Sequence, residues 1–124
     1  MAAGPWDESL TARDDWEFRV RAVVVGGIGV FVEPVVARAH LHAGPRLSAH
    51  GSLPFADAVA RAIRKVQARA AAAGVLRGGV AERLAREWAA VARACLRRGA
   101  RAAGHAALLE AARLSPAPGR RCRL

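Results

Sequence analysis

The sequence predicts an α+β fold in which an N-terminal antiparallel β-hairpin packs against two long amphipathic helices and a short C-terminal helix. Three observations predict it. Apolar and polar residues alternate in the first third of the chain, glycines separate two such stretches, and apolar residues recur every three to four positions in the second half. We expect residues 1–14 to form an acidic segment, residues 15–114 one domain, and residues 115–124 a flexible basic tail.

The hairpin is predicted over residues 15–43. Two alternating stretches supply its strands, residues 16–22, with Trp16, Phe18 and Val20 on one side, and residues 37–43. Gly26, Gly27 and Gly29 lie between them and permit the positive φ angles of a tight reversal. A turn centred on residues 27–28 would give the hairpin one apolar face and one charged face.

Residues 22–37 also permit a second interpretation, a membrane helix. The run has 16 residues, whereas a bilayer core requires about 20. Glu33 and Pro34 would lie inside it. The hairpin is therefore the favoured interpretation, and a membrane-associated accessory subunit anchored through this run ranks third among the functions.

Helical spacing predicts three helices at about residues 53–73, 80–98 and 105–114. Each of the two long helices has an apolar stripe, and basic residues lie outside both stripes. We define the first basic row as Arg61, Lys65 and Arg69, and the second basic row as Arg86, Arg93 and Arg97.

Composition limits the class of protein. The 124 residues carry 20 Lys+Arg against 10 Asp+Glu, a formal charge of +10, yet 53% are hydrophobic. The mean hydropathy of +0.12 excludes a disordered polyelectrolyte. Alanine supplies 31 of the hydrophobic residues and buries little area per side chain. We therefore expect a homo-oligomer or a subunit of a larger complex, in which a partner covers part of the alanine-rich surface.

The two basic rows predict binding to a polyanion, because arginine neutralises phosphates and donates two hydrogen bonds to one phosphate group. We expect a basic interaction subunit that contacts the backbone of RNA or DNA, or an acidic protein surface. The aromatic residues fall on predicted core stripes, so base stacking is not expected. The alternative is a protein-only scaffold or oligomerisation module whose arginines are merely solvated.

No catalytic motif stands out. The chain has no P-loop, no GxSxG elbow and no dinucleotide fingerprint, so we expect neither catalysis nor a cofactor. His40, His42 and His50 are the candidate metal ligands, and solvated or phosphate-facing histidines are their alternative interpretation.

Two observations bear on the compartment. The acidic start differs from an Arg-rich presequence. Cys95 and Cys122 form neither a CxxC motif nor a disulfide framework. Together they predict a cytoplasmic or other reducing compartment.

Overall fold

The computed structural model describes residues 4–24 and 52–115. These residues form four helices, α1 (Asp14–Val24), α2 (Leu53–Ala72), α3 (Gly78–Arg97) and α4 (Arg101–Leu114). Within this part of the chain α1 packs on α2, α2 on α3 and α3 on α4. The helices therefore pack in chain order, and the two long helices lie in the middle.

The predicted α+β fold is wrong, since the described residues are all-helical and contain no strand. Residues 16–22, the expected first strand, belong to α1. The expected second strand, residues 37–43, lies outside the described residues, as does the Gly26–Gly29 turn.

The first stretch forms a helix for electrostatic as well as apolar reasons. Asp14, Asp15 and Glu17 occupy the first turn of α1, where the helix dipole favours negative charge. Asp15 pairs with Arg19 and Glu17 with Arg21, each four positions later, which is the acid-before-base order that stabilises helices. Trp16 and Val20, also four apart, both pack against the core. Because the stretch is so short, the same apolar residues fit both the two-residue repeat of a strand and the 3.6-residue repeat of a helix.

The two long helices lie close to the segments in which helical spacing placed them. Ser52 caps α2, because its Oγ accepts a hydrogen bond from the Phe55 backbone N–H at 3.2 Å, and Pro54 occupies the first turn. The core lies between α2 and α3. Its buried residues include Val59, Ile63, Val66, Leu84, Trp88 and Val91.

The last helix begins at Arg101 rather than at residue 105. Either Gly99 or Gly104 could end the preceding helix on sequence grounds, but Gly104 is a buried residue inside α4. A Cβ atom there would lie 2.6 Å from Leu96 Cγ of α3. Gly104 therefore permits close packing of two helices, and the terminator is Gly99, which has a φ of 76°.

Candidate nucleic-acid interface

The first basic row lies along one side of α2, but carboxylates of the same chain neutralise it. Lys65 Nζ lies 2.6 Å from Asp7 Oδ2, and Arg69 Nε lies 2.9 Å from Glu17 Oε1. Arg61 Nε lies 3.6 Å from Asp57 Oδ2. Each member of this row therefore has an acidic partner within the chain.

Residues 4–13, which we call the N-terminal strap, supply one of these carboxylates, Asp7, and two hydroxyl groups. Ser9 Oγ lies 2.7 Å from Lys65 Nζ, and Thr11 Oγ1 lies 3.5 Å from Arg61 Nη2. The strap contains neither helix nor strand, and Leu10 is its buried apolar anchor. Asp7 and Ser9 of the strap thus contact Lys65, and Thr11 contacts Arg61.

The ammonium group of Lys65 changes the acidity of Asp7. The hydrogen bond from Lys65, with a second one from Ser9, lowers the pKa of the Asp7 carboxyl to about 2. The contact with Lys65 therefore stabilises the strap above the ordinary carboxyl pKa of 3.8 and weakens as the pH falls towards 2. At neutral pH Asp7 is fully ionised.

Glu17 is a buried charge. Its side chain is 0% exposed, and it pairs with Arg69 and with Arg21, whose Nη2 lies 3.2 Å from Glu17 Oε2. Arg21 also donates a hydrogen bond of 2.8 Å to the Pro5 carbonyl. Glu17 therefore joins α1, α2 and, through Arg21, the strap.

The second basic row differs in its environment. Arg86, Arg93 and Arg97 are exposed, and their spacing of seven and four positions places them on one side of α3. Of the ion pairs in residues 4–24 and 52–115, none involves them. Glu82 lies four positions before Arg86, a spacing that permits an ion pair on a helix. The structure instead pairs Arg83 with Glu87, at 2.8 Å.

A shallow groove of about 160 Å³ adjoins one end of this row, between α2 and α3. Arg97 and Arg13 line it, together with Phe55 and Glu87. Arg13 has a φ of 60°, a value that non-glycine residues rarely adopt, and its guanidinium lies 3.7 Å from Glu87. No sequence pattern singles out Arg13, because its acidic partner lies far along the chain on α3.

The candidate metal ligands His40, His42 and His50 lie outside the described residues, as does most of the run 22–37. Within residues 4–24 and 52–115, no group of three His, Cys, Asp or Glu residues is placed to hold a metal ion. In the same part of the chain, no helix is both long enough and apolar enough to span a bilayer.

Comparisons of the chain with protein-family models, with curated proteins and with solved structures found no match. Its function must therefore be inferred from the residues and their contacts.

Proposed function

We propose that this chain is a non-catalytic basic subunit that contacts nucleic-acid backbone through the second basic row. The observation that carries the proposal is the contrast between the two rows. Arg61, Lys65 and Arg69 each have an acidic partner, whereas Arg86, Arg93 and Arg97 have none among the described residues. Three solvated guanidinium groups on one helix side are available to exchange their counterions for phosphates.

The dimensions of the row suit a phosphodiester chain. Arg86 and Arg97 are separated by eleven positions, which corresponds to about 16 Å along a helix axis. That length spans several phosphates of one strand, since successive phosphates lie about 3.4 Å apart along a duplex axis. Arginine also binds two phosphate oxygens at once, so three residues fix both the position and the orientation of a backbone.

Aromatic side chains favour backbone contact over base recognition. In the described residues Trp88 is buried, whereas Trp6 is 48% exposed and stacks on Phe18 with ring centroids 4.9 Å apart. Neither ring is an open platform for a base. The proposal therefore predicts weak dependence on base sequence. It also retains the expectation of a cytoplasmic or other reducing compartment.

Charge reversal tests the proposal. After nuclease treatment and a high-salt wash, the protein is titrated into labelled duplex DNA and RNA, and fluorescence anisotropy gives the dissociation constants. We expect the R86E/R93E/R97E variant to bind at least about 100-fold more weakly at about 0.1 M salt, because three phosphate contacts are lost.

A matched variant separates this site from overall charge. R19E/R77E/R113E changes the net charge equally but reverses exposed arginines elsewhere, of which Arg19 and Arg113 pair with Asp15 and Glu110. The proposal expects it to retain most of the affinity. Equal weakening in both variants would show that net charge alone attracts nucleic acid, and absence of binding by the unmodified protein would reject the proposal.

A second candidate function, an oligomerisation module, has its own observation. A groove of about 370 Å³ lies between α2 and α4, above Trp88 and Cys95 of α3. Six of its thirteen lining residues are alanine, and elsewhere on α4 Leu108 and Leu109 are 44% and 61% exposed. Light scattering on the nucleic-acid-free protein discriminates the two candidates, because a scaffold self-associates without any polyanion.

A further inference from the structure

The N-terminal strap presents to α2 the same kinds of atoms that a nucleic-acid backbone would present. Lys65 is held by one carboxylate oxygen, Asp7 Oδ2 at 2.6 Å, and one hydroxyl oxygen, Ser9 Oγ at 2.7 Å. Arg61 lies 3.5 Å from the hydroxyl of Thr11. An anionic oxygen beside further oxygens is also the arrangement in which a phosphodiester meets a lysine or an arginine.

We propose that the strap is an internal competitor that masks a second polyanion-binding site, formed by Lys65 and Arg61 on α2. The ligand is the phosphodiester backbone of a nucleic acid, so this inference rests on the proposed function and adds a means of regulating it. With the strap in place, the protein binds through α3. Once the strap leaves, α2 supplies additional contacts.

The strap should detach from α2 more easily than the packed helices separate from one another. It has no regular secondary structure, and Leu10 is its buried apolar residue. The Lys65 and Asp7 side chains are 38% and 18% exposed, so water and salt reach their ion pair. Trp6 is about half exposed. Detachment exposes Leu10 and breaks the Trp6 contacts with Phe18 and Asp14, but it separates no pair of helices and returns a partly solvated ion pair to water.

Arg69 is excluded from the masked site, although it lies in the same row. Its partner Glu17 belongs to α1 and is completely buried, and Glu17 also pairs with Arg21. Removing Glu17 from Arg69 would require α1 to separate from α2, whereas removing Asp7 from Lys65 requires only the strap to move. The first basic row thus divides into Lys65, whose carboxylate partner leaves with the strap, Arg61, which loses the Thr11 hydroxyl but keeps its exposed pair with Asp57 of α2, and Arg69, which is structural.

The strap lowers the apparent affinity of the masked site, because only molecules whose strap is detached can bind a ligand there. A ligand that binds only the open form has an apparent affinity reduced by the fraction of molecules that are open. Weakening the strap should therefore strengthen nucleic-acid binding even though no residue of the binding site has changed. A gain in affinity on losing one contact within the protein is the distinguishing signature of a masked site.

The test compares two neighbouring acids. Asp7→Asn weakens the bond to Lys65, whereas Glu8→Gln removes the same charge from an exposed side chain with no ion pair or hydrogen bond in the described part of the chain. Titration of labelled duplex DNA at several salt concentrations gives the affinity and its salt dependence. Circular dichroism confirms that both variants keep their helix content.

We expect D7N to bind about fivefold to tenfold more tightly than E8Q at about 0.1 M salt, with a log K against log salt slope steeper by about 0.9 for each phosphate gained. Adding Lys65→Gln to D7N should abolish most of the gain. Equal affinities of D7N and E8Q, with the unmodified protein binding through α3, would overturn the masked site and leave the proposed function intact.

The opposite failure is also distinguishable. In a background with R86Q/R93Q/R97Q, tighter binding by D7N than by E8Q would support the masked site even if the second basic row contributes nothing. If no variant binds DNA in any background, both proposals are rejected.

Discussion

Replacing Glu17 with alanine is expected to lower the free energy of unfolding by about 3–5 kcal/mol, because the substitution leaves buried positive charge without its counter-charge. The Glu17 side chain is 0% exposed and pairs with Arg21, which is 7% exposed, and with Arg69. The substitution removes the attraction between the two charges, but the remaining arginine is still buried away from water. Its unfavourable burial is then no longer offset. Urea denaturation followed by circular dichroism measures the change.

Asp15 provides the matched control for this prediction. It lies in the same first turn of α1 and also pairs with an arginine four positions later, but the Asp15 and Arg19 side chains are 61% and 71% exposed. We expect Asp15→Ala to lower the free energy of unfolding by at most about 1 kcal/mol. Similar losses in both variants would show that Glu17 is solvated and that α1 does not pack on α2 as described.

Replacing Trp88 with alanine should be comparably damaging, with a loss of about 3–5 kcal/mol. Trp88 is 2% exposed between α2 and α3, and its indole Nε1 donates a hydrogen bond of 2.9 Å to Gln67 Oε1. The Arg64 guanidinium lies 5.3 Å from the centre of the ring. The variant loses the burial of the largest side chain in the core and leaves a cavity between the two central helices.

Trp6→Ala tests whether the position, and not the residue type, determines this loss. Trp6 is 48% exposed and stacks on Phe18. Its removal should lower the free energy of unfolding by about 1–3 kcal/mol, because the variant loses the aromatic pair and the 2.8 Å hydrogen bond that Trp6 Nε1 donates to Asp14 Oδ2. If Trp88→Ala unfolds at the same urea concentration as Trp6→Ala, the assignment of Trp88 to the core is wrong.

The sequence predicted the long helices well because their apolar residues repeat over five turns. In α3 Leu84, Trp88, Val91 and Cys95 are all buried, as their spacing of three and four positions requires. The same reasoning failed at α1, where seven residues fit both a strand and a helix. The acid-before-base pairs in the same residues favour the helix, whereas the strict apolar alternation favours the strand.

The candidate site shows a different limit. That Arg61, Lys65 and Arg69 share one side of a helix follows from spacing alone. That Lys65 meets Asp7 does not, because the two residues are 58 positions apart and come together only through the packing of α1 and the strap on α2. An excess of arginine in a sequence therefore predicts a basic surface. Only the folded structure shows which of those arginines pair with a carboxylate and which do not.

The salt dependence of DNA binding tests the central claim most directly, namely that the second basic row meets phosphates while the first row is internally neutralised. Replacing Arg86, Arg93 and Arg97 with glutamine should make the log K against log salt slope shallower by about 2 to 3, since each phosphate contact contributes about 0.9. Replacing Arg61 and Lys65 with glutamine should change the slope by less than about 0.5. A reversed ranking, in which the first row carries the slope and the second row does not, would contradict the account.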